Sequence, residues 1–340
     1  MTVISLINQK GGCGKTTTAV NLAYALSKKG KRVLMIDLDP QAHATFSLGI
    51  KPKYTTADFF DNIICNRSFE PNDYLVVRAN NLWVLPSSIG LGAIEQSIAE
   101  KENKLDILSS ALYKYTLSFT YCIIDSPPNL GTLTLNALTA SSYVIVPVGI
   151  CELSLKGIEN LNNIIKILSE YKRKTPPLYY LITQLDKRFK FSQLFYKKMQ
   201  EAFGKNLLST AIRTNIHLRE AAACGMSIFE YKKDARGSQD YNQLAEEVEK
   251  ISQQPSSVRF SLKGREFKEV YLVGEFNNWT PHQNYKLRRI DTDTWVINLS
   301  LRRGKYSYKF IADGKWINDP TNNLQEDDAF GGKNSIIMVS

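Results

Sequence analysis

Residues 3–26 read VISLINQKGGCGKTTTAVNLAYAL: an apolar run, a glycine cluster, then a stretch with helical periodicity. A strand that turns through glycines directly into a helix is the setting of a phosphate-binding P-loop, G-x-x-x-x-G-K-[ST]. Gly14, Lys15 and Thr16 fit the end of that pattern. Gln9 stands where the first glycine belongs, and a second lysine, Lys10, follows it. Backbone N–H groups from Gly11, Gly12, Cys13, Gly14, Lys15 and Thr16 are expected to wrap phosphates, helped by the positive end of the following helix. Lys15 is expected on the β- and γ-phosphates, the Thr16 hydroxyl on Mg²⁺ and Thr17 near the α-phosphate.

The loop sits in a regular alternation. Apolar runs at 3–8, 32–39, 82–87, 121–128, 143–148 and 178–184 read as strands, and their near-continuous apolar character suits a parallel sheet covered on both faces. Helical patterns at 15–29, 92–116, 131–140, 155–173, 192–203 and 237–252 fall between or after them. The expectation is a doubly wound, mostly parallel α/β domain over 1–254. A polar linker at 255–257 follows, within QQPSS. From 258 to 340 the texture changes to aromatic and β-branched runs separated by turns such as FNNW, RRGK and ADGK. That pattern predicts a small all-β immunoglobulin-like sandwich.

Composition excludes several classes. No apolar run is long enough for a membrane span, and the first residues do not resemble a signal peptide. Five cysteines, Cys13, Cys65, Cys122, Cys151 and Cys224, are scattered without a C-x-x-C pair, which favours neither a disulfide framework nor zinc. A cytoplasmic location is expected. Net charge is +10, with most of the excess upstream of residue 258, compatible with contact to a polyanion.

K-G-G-x-G-K-T-T in this context resembles the deviant Walker A box of the ParA/MinD ATPase family. Two further boxes agree: VLMIDLDPQAHAT and YCIIDSPPNLGTLTLNAL. The resemblance covers about residues 1–252. It implies an ATPase with ATP and Mg²⁺ as cofactors, pairing face to face with two ATPs between the subunits. It implies that Lys10 is the signature lysine that crosses to the partner's nucleotide. Asp39 matches the aspartate that positions attacking water. Asp37 is placed for Mg²⁺ or for loop structure, and Asp125 matches the Walker B aspartate. An adaptor protein that stimulates hydrolysis is a further implication.

Within the family, MinD-like chains end in a basic amphipathic membrane helix. Here the last helix carries EEVE and the chain continues, so no membrane contact is expected. The ParA/Soj-like branch fits better and implies non-specific DNA binding with a nucleoid-associated location. Phosphate contact needs basic residues on the dimer flank. Candidates are Arg188, Arg213, Arg219, Lys232 and Lys233, with Lys187, Lys190 and Arg236 nearby. This chain departs from its relatives' P-R-N, having Arg213-Thr214-Asn215. His217 stands at the family's second arginine.

Residues 258–340 resemble the glycogen-binding module of AMP-activated kinase β subunits, carbohydrate-binding module family forty-eight. G-x-F-N-N-W, Y-x-Y-K-F, D-G-x-W and N-D-P occur in order. Sugar rings stack their C–H faces on flat aromatics while polar groups read hydroxyls. Trp279 and Trp316 match the stacking tryptophans, and Lys309 and Asn334 match hydroxyl-binding residues. Phe330 takes the place of a leucine that threads the glucan curve, and Gly332 the place of a threonine. Trp295 reads as a core residue. The combined expectation is a dimerising partition or positioning ATPase fused to a module for α-glucan, such as glycogen, or a glucan-associated cargo. Two other readings stay open. One is a DNA-partition ATPase whose β module docks an adaptor. The other is an ATP-gated regulatory subunit of glucan enzymes without DNA binding.

Overall fold

A computed structural model describes residues 1–113, 118–151, 153–170, 175–302, 304–322, 324–328 and 330–339. Two compact units emerge, Met1–Val248 and Glu249–Ser340.

The first unit is built on eight strands: β1 (Thr2–Leu6), β2 (Val33–Asp37), β3 (Val76–Ala79), β4 (Leu82–Leu85), β5 (Tyr121–Asp125), β6 (Tyr143–Gly149), β7 (Leu178–Leu185) and β8 (Leu207–Arg213). Their order is β3-β4-β2-β5-β1-β6-β7-β8. Every neighbouring pair is parallel except β3–β4. Every residue of β1, β2, β5 and β6 is buried, as continuous apolar runs require when helices cover both faces. The core runs from Leu34 and Ile36 through Ile124 to Val146 and Ile182.

The two strands at the sheet margins, β3 and β8, are additions to the six read from sequence. The β3–β4 hairpin turns at Asn81, whose φ of 62° lies in the left-handed region that asparagine tolerates. On β8, exposed and buried residues mix, and Glu247 accepts the Ser209 and Thr210 N–H groups at 2.7 and 2.9 Å. That carboxylate covers amides that an edge strand would leave open.

The helix expected over 92–116 is two, Leu91–Ala99 and Ile107–Tyr113. Residues 100–106, EKENKLD, offer one apolar side chain, so no stripe continues through them. Asn136 holds the break open: its amide donates to the Lys104 carbonyl at 2.6 Å and its carbonyl oxygen accepts the Leu108 N–H at 3.1 Å. The expected helix over 155–173 is Leu153–Glu170. The ends of these two expectations, 114–116 and 171–173, lie outside the described residues.

In the second unit the strands are β9 (Ser256–Lys263), β10 (Val270–Gly274), β11 (Arg288–Arg289), β12 (Thr294–Leu301), β13 (Gly304–Ala312), β14 (Lys315–Ile317), β15 (Gln325–Asp327) and β16 (Lys333–Val339). They form two antiparallel sheets. One runs β10-β13-β16-β15 with β14 on β13; the other is β11-β12-β9. Side chains of both meet in one core of Phe260, Leu272, Trp295, Tyr308 and Phe310. Trp295 is the core tryptophan, its indole N–H donating to the Gly264 carbonyl at 3.0 Å.

Candidate functional site

Register brings the site together. Leu6 and Asp37 both pair with Asp125, so the carboxyl ends of β1, β2 and β5 stand side by side. The glycine loop leaves β1 there, where a doubly wound sheet places its ligand crevice. Gly12 and Gly14 take φ of 73° and 88°, a region in which a side chain is strained. Lys15 then opens the helix Lys15–Lys28.

The loop is braced from several elements. Thr183 Oγ1 donates to the Cys13 carbonyl and Gln184 Nε2 to the Gly12 carbonyl, each at 2.8 Å. Asn8 accepts the Lys10 N–H at 3.0 Å and donates to the Pro147 carbonyl at 2.7 Å. Gln9 accepts from Asn160 at 2.7 Å, so the residue in place of the first glycine ties the loop's shoulder to the helix after β6. Lys15 Nζ and the Cys13 thiol both donate to the Lys10 carbonyl, at 3.3 and 3.2 Å. Burial pushes the Cys13 thiol up. The Lys10 ammonium donates to Sγ of Cys151, just beyond β6.

Three aspartates divide the chemistry. Asp37 is fully buried and engaged: one oxygen accepts the Asp39 N–H at 3.1 Å, the other the Thr45 N–H and hydroxyl at 2.9 and 2.7 Å. Burial raises its pKa to about 6 despite these bonds. It therefore pins the segment that carries Asp39. Asp39 is itself nearly buried and accepts the Gln41 N–H at 2.9 Å. Asp125 is fully buried, and neither carboxylate oxygen has a hydrogen-bond partner among the described residues. Burial pushes its pKa well up, Asp37 adds to this, and the Thr16 hydroxyl and Lys15 ammonium oppose it. A buried carboxylate without partners is a costly arrangement that a cation beside Thr16 relieves. The residues present therefore fit Mg²⁺.

A cleft of about 680 Å³ opens over these groups. Gly11, Gly12, Gly14, Lys15, Thr16 and Thr17 line one wall, Asp39 and His43 a second, Arg219 and Ala222 a third. A smaller hollow of about 200 Å³ continues past Gly14 and Thr17 to Thr183, Ile216 and Tyr241. Arg219 lines both, so it faces the cleft.

The other basic candidates differ in availability. Arg213 is clamped to Asp240, with Nε and Nη2 donating at 2.9 and 2.6 Å, and Asp240 is almost wholly buried. Arg188 is exposed but bonded to Asp186, whose carboxyl it holds down at about 2. Lys232 lies 3.1 Å from His217, which in turn meets Glu220 at 2.8 Å. Lys187, Lys190, Lys233 and Arg236 are exposed.

On the second unit, the rings of Trp279 and Trp316 lie 6.3 Å apart, tilted by 37°. Trp316 is half exposed, and Trp279 takes a φ of 57°, unusual for a bulky residue. Lys309 donates to Asp328 at 2.6 Å, and the other Asp328 oxygen accepts the Phe330 and Gly332 N–H groups, both at 2.8 Å. This carboxylate shapes the turn that leaves Phe330 96% exposed. A Cβ at Gly332 would lie 2.8 Å from it, which explains glycine there. Asn334 is half-buried opposite Glu326. The roles of Gln184, Cys151, Thr45, Asp240 and Asp328 have no local signal in the sequence, because each acts through a partner at least eight residues away or through a loop shape.

A glycine loop, a buried aspartate and a braced aspartate at the ends of three adjacent parallel strands define a P-loop nucleotide-binding fold of the ParA/MinD type. Residues 1–176 match the model of an AAA domain, and residues 255–340 match the glycogen recognition site of AMP-activated protein kinase. The chain is 35% identical over 247 residues to the sporulation initiation inhibitor protein Soj of Bacillus subtilis, covering 72% of this chain and 97% of that protein. It is 31% identical over 251 residues to the chromosome partitioning protein ParA of Myxococcus xanthus, covering 73% of this chain and 88% of that one. The structure of cobyrinic acid a,c-diamide synthase from Mycobacterium smegmatis, with a bound ATP analogue and magnesium, is similar at a TM-score of 0.62. That match has 29% identity and covers 72% of this chain and 93% of that chain. The chain belongs to the ParA/Soj family of P-loop ATPases. Soj is matched almost end to end, so it has no counterpart of this chain's remaining quarter.

Proposed function

We propose that this protein is an ATP-driven dimerising switch that hydrolyses ATP to ADP and phosphate and carries or positions an α-glucan or a glucan-associated cargo. The unpartnered, buried Asp125 beside Thr16 and Lys15 is the observation that supports the nucleotide reading most strongly. Loop amides and Lys15 bind the phosphates, and Thr16 and Asp125 hold Mg²⁺. When bound, the ion neutralises phosphate charge and orients the nucleotide. Asp39 positions and accepts a proton from the attacking water. Its place beside the cleft, on a segment pinned by Asp37, supports that role. Lys10 serves the partner's triphosphate as a deviant Walker A lysine. Its hold on Cys151 is the unpaired protomer's arrangement, released when two copies meet. The paired tryptophans and the exposed Phe330 on the same unit support stacking on a curved glucan.

Hydrolysis measured with and without DNA and with and without glycogen, alongside sedimentation with glycogen, tests this reading. Turnover of ATP and co-sedimentation with glycogen are expected. A protein that stays in the supernatant would end the cargo assignment. The neutralisation of Arg188 by Asp186 and of Arg213 by Asp240 favours a second reading, an ATP-gated glucan regulator without a DNA role. Salt-dependent DNA binding that appears only with ATP would exclude it.

A further inference from the structure

The outer face of the β11-β12-β9 sheet carries a hollow of about 490 Å³ lined by Arg259, Arg288, Arg289, Ile290, Val296 and Asn298. It lies on the other sheet from the one that bears Trp316. Register puts two of these cations on either side of one strand. Arg259 on β9 stands opposite Asn298, and Arg288 on β11 stands opposite Val296. Positions 296 and 298 of β12 share a face, so both arginines flank that strand on the side away from Trp295 and Leu301. Val296 is nevertheless buried, in keeping with long arginine stems lying over an apolar floor.

The charge here is uncompensated. Neither the Arg259 nor the Arg288 guanidinium has an ion-pair or hydrogen-bond partner among the described residues. Arg289 lies over the Trp295 ring at 5.2 Å and donates to the Arg265 and Thr292 carbonyls at 2.5 and 3.1 Å, not to a carboxylate. The adjacent acid, Asp291, is turned into its own loop, accepting the Asp293 and Thr294 N–H groups at 2.9 and 2.7 Å. None of the residues lining the hollow is acidic.

We infer that this hollow binds a phosphate monoester carried on a small sugar. Guanidinium forks match phosphate oxygens two at a time, and two forks around one hollow suit a dianion. The hollow has the size of a small-molecule cleft, not that of a long track of cations along a polymer backbone. Asn298 supplies both a donor and an acceptor for a hydroxyl, and Ile290, 56% exposed, gives an apolar rim for the ring. The assignment is independent of the glucan reading, because it uses none of the residues near Trp279 and Trp316.

Calorimetric titration of the full-length protein with glucose 6-phosphate, glucose, inorganic phosphate and duplex DNA tests it. Glucose 6-phosphate is expected to bind at least ~10-fold tighter than glucose and than inorganic phosphate. Arg259→Gln with Arg288→Gln is expected to weaken it at least ~10-fold, while the melting curve stays as in the wild type. Arg259→Lys with Arg288→Lys, which keeps charge but removes the forks, is expected to fall between the two. Equal binding of sugar phosphate by wild type and the Gln pair would overturn the assignment. So would inorganic phosphate binding as tightly as the sugar phosphate, or arginine-dependent capture of DNA without sugar phosphate binding.

Discussion

Asp37 and Asp125 are paired residues at the ends of adjacent strands, both fully buried, yet Asp37 accepts three hydrogen bonds and Asp125 accepts none among the described residues. One carboxylate holds a loop; the other is kept open at the expense of stability. Burial already pushes the ligand-free Asp125 toward its neutral form, and an amide of the same shape forgoes the charge altogether, so the substitution removes nothing that the ligand-free fold relies on. Without ligand, Asp125→Asn should therefore melt no lower than the wild type. Adding Mg²⁺ to the ADP-loaded protein should raise the wild-type melting temperature and leave the variant unmoved. A ligand-free variant that is clearly less stable, yet still responds to Mg²⁺, would contradict this division.

Trp316 and Trp295 should separate binding from folding. Trp316 is half exposed, so Trp316→Ala should change stability by about 0.5 kcal/mol or less. It should weaken co-sedimentation with glycogen by about tenfold, roughly 1.4 kcal/mol. Trp295→Ala removes a core side chain and should destabilise by about 3–5 kcal/mol. Denaturant melts and glycogen pelleting on the same preparations check both. A Trp316→Ala protein that pellets as well as the wild type would move the binding surface elsewhere.

Asp328 sets a pH window for the Phe330 turn. The Lys309 ammonium, with the Gly332 and Phe330 amides, pulls its carboxyl from an ordinary 3.8 down to about 2. A depressed folded-state pKa stabilises above the unfolded value and loses that contribution as pH falls through the folded one. The wild type should thus be more stable than Asp328→Asn at neutral pH, with the gap closing between about pH 4 and pH 2. Thermal melts of both proteins across that range check the sign. A gap that widens on acidification would show that Lys309 does not stabilise the charged form.

Much of this was legible in the chain because glycine spacing and apolar runs are local signals. Gly14-Lys15-Thr16 placed the loop, and the near-continuous apolar runs of β1, β2, β5 and β6 announced a sheet covered on both faces. The marginal strands β3 and β8 were not legible: β3 is four residues long and buries none of them fully, and β8 mixes exposed and buried residues. Basic residues mislead for another reason. Arg213 looks free in sequence, but Asp240, which neutralises it, is 27 residues away. Arg219 reads as a surface cation, and only the fold turns it toward the nucleotide cleft. Lys10 and Cys151 are brought together from 141 residues apart.

In the proposed switch, Lys10 belongs to the opposite subunit's nucleotide. Light scattering on Asp39→Ala protein with Mg²⁺-ATP, with and without Lys10→Ala, tests it most directly. A lasting dimer is expected for Asp39→Ala alone, and a monomer that still binds ATP when Lys10→Ala is added. A doubly substituted protein that pairs as completely as the single variant would contradict it.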